Sequence, residues 1–86
     1  MKISSDFVLR EIAGEYIVIP TGEKALKLNG LITLNETGVF LWRLLQGGAE
    51  EKELLSALTA EFDVEEEQAR ADIDDFLGIL EKYKIL

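Results

Sequence analysis

Two stretches rich in β-forming residues, Phe7-Val8-Leu9-Arg10-Glu11-Ile12 and Glu15-Tyr16-Ile17-Val18-Ile19-Pro20, predict two strands of similar length. Ala13-Gly14 between them predicts a hairpin, with Gly14 supplying the positive φ that a tight turn demands. Pro20 cannot donate to a ladder and marks the end of the second strand. Residues 21–30, bracketed by Gly22 and Gly30 and pinned only by Ala25, Leu26 and Leu28, read as a loop. Leu31-Ile32-Thr33-Leu34 is long enough for a short third strand. Asn35 then ends it with a helix signal, because its side chain can accept a hydrogen bond from the amide of Thr37 or Gly38.

From Glu36 to Gln46 the period changes to that of a helix. Thr37, Phe40, Leu41, Leu44 and Leu45 share one face, Trp42 stands beside them, and Gly47-Gly48 stops the element. An apolar surface this wide on so short a helix predicts burial on more than one side, so the helix belongs at the centre of the fold. A second helix, from about Glu50 to Phe62, presents Leu54, Leu55, Leu58 and Phe62, with the acids Glu50, Glu51 and Glu53 at its start. Asp63-Val64-Glu65-Glu66 has the spacing of a capping box and opens a third helix that runs to about Lys82. Ala69, Ile73, Phe76, Leu77 and Leu80 form its inner stripe, and the apolar ending Tyr83-Lys84-Ile85-Leu86 is expected to pack down. The order predicts a single α+β domain over residues 1–86, winged helix-turn-helix-like, with a three-stranded antiparallel sheet followed by three helices.

Composition narrows the function. The 86 residues are 48% hydrophobic and 30% charged, the balance of a folded domain rather than a disordered chain. No apolar run reaches the length of a membrane span and the start lacks a signal segment, so a cytoplasmic protein away from the membrane is expected. The chain contains neither His nor Cys, which removes the commonest general base, the thiol nucleophile and the usual zinc ligands. An enzyme is therefore not expected, nor a cofactor or a metal. Glu65-Glu66-Glu67 and Asp72, Asp74 and Asp75 lack the spacing of a calcium loop and read as a solvated face.

Charge is unevenly placed. Residues 1–34 carry four basic and four acidic groups, whereas residues 35–86 carry five basic and thirteen acidic ones, which accounts for the whole net charge of −8. A field of that sign repels phosphate and anionic lipid and favours neutral or basic partners. The closing helix would be the recognition helix of a winged-helix DNA-binding regulator, the alternative reading of this element order. Between Glu65 and Tyr83 it holds seven acids against Arg70 and Lys82, so nucleic acid is disfavoured as a partner.

The stretch Ile32-Thr33-Leu34-Asn35-Glu36-Thr37-Gly38-Val39-Phe40-Leu41-Trp42-Arg43-Leu44-Leu45 resembles the most recognisable part of the PqqD-like family, a third strand ending in Leu-Asn that runs into an apolar helix with Trp. Arg10-Glu11-Ile12-Ala13-Gly14-Glu15-Tyr16 before it, the Glu-rich second helix ending Phe62-Asp63-Val64, and the long last helix follow in the family's order. The resemblance implies a stand-alone recognition element for ribosomally made, post-translationally modified peptides. Such a protein binds the leader segment of a precursor peptide and presents the core to a modifying enzyme, commonly a radical S-adenosylmethionine maturase. It further implies that the leader adds as a strand along the third strand and lies between that strand and the last helix.

The residues accommodate that mode. The edge at Leu31, Ile32, Thr33 and Leu34 carries no charge or Pro, and an unguarded edge invites strand addition. Alternation puts Leu31 and Thr33 on the groove face, with Ile32 and Leu34 toward the core. On the last helix Phe76 lies at the margin of the inner stripe, and Asp72, Asp75 and Ile79 lie further round, with Tyr83 beyond. These nine residues are the candidate peptide-binding set, a mixed apolar and acidic wall suited to an aliphatic or aromatic anchor with a nearby Lys or Arg. Asn35, Gly38 and Trp42 are assigned to the scaffold, although Trp42 could also serve as a stacking platform. The same free edge would permit a weak homodimer.

Overall fold

The computed structural model describes residues 1–22 and 32–86. The predicted loop at 21–30 falls mostly outside these residues, and so does Leu31. Phe7–Ile12 forms β1 and Glu15–Pro20 forms β2, paired antiparallel from Ile12 opposite Glu15 to Phe7 opposite Pro20. Their two-residue turn has positive φ at both positions, 53° at Ala13 and 82° at Gly14. Two such residues match the right-handed twist of the strands, so Ala13 as well as Gly14 adopts the left-handed conformation.

Ile32–Leu34 forms β3, antiparallel to β2, with Leu34 opposite Tyr16 and Val18 opposite Ile32. Among the described residues the sheet order β1-β2-β3 leaves β3 at an edge. Thr33 is exposed while Leu34 is buried, as the alternation requires.

Glu36–Gln46 forms α1. Its buried residues are Gly38, Val39, Leu41, Trp42 and Leu45, and Trp42 is wholly inaccessible. The apolar face is thus rotated relative to the sequence expectation. Phe40 and Leu44 are half-buried and Val39 takes an inner place, because α1 packs against β3 on one side and the second helix on another. Burial of Trp42 also removes it as a stacking platform for a base.

Glu51–Glu61 forms α2, opened by the Glu53 carboxylate accepting from the Glu50 amide at 3.0 Å. Leu54 and Leu58 are buried, and α2 packs along the last helix. Glu66–Lys82 forms α3, whose inner stripe Ala69, Ile73, Phe76, Leu77 and Leu80 is buried as predicted. The capping box expected at Asp63 to Glu66 does not form. The N-cap is Glu65, with no side-chain hydrogen bond, two residues beyond the expected start. Val64 explains the delay: it is half-buried against the core and sits immediately before the cap, where an apolar residue fixes the entry of the chain, so the backbone stays extended past it.

Both ends of the chain are tied down. The amide of Ile3 donates to the carbonyl of Leu45 at 3.1 Å, that of Ser4 to Ile85 at 2.9 Å, and that of Ala49 to Met1 at 2.9 Å. Ile85 is buried in the core, and the predicted apolar ending does pack down. The first four residues therefore fasten the end of α1 to the end of α3.

Candidate functional site

The outer edge of β3 and one side of α3 are the two walls of a groove of about 360 Å³. Thr33 and Leu34 come from the strand, and Asp72, Asp75, Phe76 and Ile79 from α3. Asn35, Thr37, Gly38 and Leu41 close the bottom where β3 turns into α1.

Each wall follows from local sequence. On α3, Asp72, Asp75, Phe76 and Ile79 recur at three, four and seven residues, which stacks them on one side of a helix. Phe76 is 7% exposed and joins the core, whereas Ile79 is 43% exposed, one of three large apolar residues left that open among those described. Asp72 accepts a hydrogen bond from Gln68 Nε2 at 3.0 Å, one helical turn earlier, which holds its carboxylate on this side. On β3, the partners Tyr16, Ile17 and Val18 occupy one flank of the backbone, and no described residue pairs with the other. An edge of this kind presents amides and carbonyls to any extended segment that enters the groove.

Of the nine residues singled out from sequence, Thr33, Leu34, Asp72, Asp75, Phe76 and Ile79 are brought together in this groove. Ile32 and Tyr83 are not among its lining residues. Ile32 is half-buried, packed against the core, and Tyr83 is the half-buried C-cap of α3, with Lys82 Nζ 5.6 Å from its ring centroid. Leu31 lies outside the described residues. Sequence reasoning assigned Asn35, Thr37, Gly38 and Leu41 to the scaffold or the helix face and so missed them as lining. For Asn35 and Thr37 the signal was available in the junction itself, since a strand edge that continues directly into a helix sets that helix's first turn beside it, whereas the buried Gly38 and Leu41 read as core.

Chemically the groove offers backbone hydrogen bonds, apolar surface from Ile79 and the margin of Phe76, and two carboxylates. Among the described residues no group of three or more carboxylates is gathered as a metal ion would require. No described helix is long and apolar enough to cross a membrane. On α3, Arg70 is bound to Glu66 at 2.8 Å, so one of the helix's two bases is already opposed by an acid.

Comparison with solved structures finds TbiB1 in complex with the TbiA(beta) leader peptide, with a TM-score of 0.78 and 29% identity, covering 100% of this chain and 94% of that one. It also finds lasso peptide synthetase B1 complexed with the leader peptide, with a TM-score of 0.73 and 18% identity, covering 94% of this chain and 89% of that one. Both share the three-strand, three-helix architecture. No curated protein sequence gives a significant match. Residues 15–86 match the family described as Coenzyme PQQ synthesis protein D (PqqD), and the chain belongs to that family.

Proposed function

We propose that this protein binds the leader segment of a ribosomally made precursor peptide by strand addition to β3 and presents the precursor to a peptide-modifying enzyme. The observation that carries the reading is the outer edge of β3, paired by no described residue, opening onto a groove whose α3 wall joins exposed Ile79 to two carboxylates. Membership of the PqqD family and the likeness to TbiB1, solved with a leader peptide, support it. In this reading Thr33 and Leu34 present the backbone edge, Ile79 with the margin of Phe76 receives an aliphatic or aromatic anchor, and Asp72 and Asp75 attract a Lys or Arg beside it. The chain itself supplies recognition and no catalysis. On the family resemblance, the enzyme served is a radical S-adenosylmethionine maturase.

A display selection of random peptides on the intact chain, followed by a nuclear magnetic resonance titration with the selected peptide, tests the proposal. Amides of residues 32–34 and 72–79 should shift together and saturate together. Shifts confined to other surfaces would overturn it.

A further inference from the structure

A second hollow, of about 700 Å³, begins where the groove ends. It shares Thr33, Leu34 and Asn35 with the groove and continues beneath the hairpin turn, between Tyr16 of β2 and the outer flank of α1. Its apolar floor is aromatic: Phe40 meets Phe62 edge-on with ring centroids 5.4 Å apart, and both are half-buried rather than buried. Arg43 lies 5.8 Å from the centroid of the Tyr16 ring at the rim, and exposed Glu15, Glu36 and Glu61 surround it.

Resting on the reading of the groove as a leader-peptide site, we propose that this hollow is a second seat for the same peptide, taken by an apolar or aromatic residue with a basic neighbour after the strand leaves β3 past Asn35. Two observations point to that occupant. One is continuity: whichever way the added strand runs, one of its ends passes Leu34 and Asn35, and the residues met there line both spaces. The other is the aromatic pair itself: Phe40 and Phe62 are half-buried, and the surface they leave open is what a large apolar side chain would cover where the peptide emerges. The three acids at the rim outnumber Arg43 and set the preference for a basic neighbour.

The test attaches a nitroxide in turn to each end of the display-selected peptide and follows the amide signals of the isotope-labelled chain. One label, and not the other, should broaden Tyr16, Phe40, Arg43 and Phe62. Removing the peptide residues at that end should lower affinity about tenfold, as expected for one large apolar side chain. If neither label broadens those four signals while Thr33, Asp75 and Ile79 still shift, the groove reading stands and the second seat is overturned. If Thr33 and Ile79 do not shift either, both readings fall. If the four signals move with protein concentration alone, the hollow belongs to a second copy of the chain and the peptide seat is again overturned.

Discussion

The side-chain oxygen of Asn35 accepts a hydrogen bond from the amide of Gly38 at 2.8 Å, and this contact sets where β3 stops and α1 starts. It also explains the glycine. A Cβ on Gly38 would lie 3.2 Å from that same oxygen and 3.4 Å from Leu34 Cβ, so the cap and the end of the strand close over a position with no side chain. Both residues line the groove, and the scaffold and the candidate site are therefore one piece of structure.

Asn35→Ala removes the only side-chain acceptor serving the first turn of α1 among the described residues. Loss of such a cap costs about 1 kcal/mol. Urea denaturation should show that decrease, and affinity for a selected peptide should fall as well, because the end of the edge strand loses its anchor. Asn35→Asp, which keeps an acceptor, should restore most of the stability.

Ile79→Asp tests the α3 wall without touching the core. Ile79 is 43% exposed, so the change should leave stability within about 0.5 kcal/mol of the parent. It removes an apolar contact and adds a third carboxylate near Asp72 and Asp75. Peptide affinity measured by calorimetry should drop about tenfold or more through the lost apolar contact. Unchanged affinity in a folded variant would exclude this side of α3 from the site.

Asp75→Lys separates charge from shape on the same wall. Asp75 is exposed and makes no hydrogen bond or ion pair among the described residues, so its replacement disturbs no structural contact. A selected peptide with a Lys or Arg should bind the variant less tightly, with a smaller loss at high salt, where exposed charges are screened. Equal binding at low salt would show that the acidic wall has no part in recognition.

Much of this arrangement is written in local pattern. β1 and β2 end as the Ala13-Gly14 and Pro20 positions predict, α1 starts at the residue after Asn35, and the α3 stripe from Ala69 to Leu80 is buried throughout. Thr33, Asp72, Asp75, Phe76 and Ile79 could be placed beside the groove because alternation on a strand and a three-four period on a helix each place side chains without knowledge of the rest, whereas Leu34, turned to the core by alternation, lines it as well. What escaped depends on contacts distant in sequence. The hydrogen bonds from Ile3 and Ser4 to Leu45 and Ile85 leave no periodic trace in Met1-Lys2-Ile3-Ser4, and the delayed start of α3 follows from Val64 meeting the core. The lining roles of Leu41 and Gly38 escaped for a related reason: a residue at the edge of a buried face reads as core until the neighbouring wall is in place.

The end of α3 supplies a prediction about stability alone. After the C-cap Tyr83, Lys84 has a φ of 58°, its amide donates to the carbonyl of Glu81 at 3.0 Å, and the amide of Ile85 donates to that of Leu80 at 2.8 Å. This is the paired closure of a Schellman motif, with the buried Ile85 giving its apolar contact, but the left-handed position is held by lysine where glycine is the usual occupant. A residue with a Cβ costs roughly 1–2 kcal/mol in that conformation, and glycine gives back part of the gain because its unfolded chain is freer. Lys84→Gly should therefore raise unfolding stability by about 0.5–1 kcal/mol. Ala13 meets the same condition at the other end of the molecule, at the first position of the hairpin turn with a φ of 53°. Ala13→Asn places there the residue that tolerates left-handed backbone in such turns and should give a similar increase. Since the two sites share no hydrogen-bond partner, the double variant should show the sum of the two effects in urea denaturation. Neither position lines the groove, so peptide affinity should stay at the parent value in all three variants.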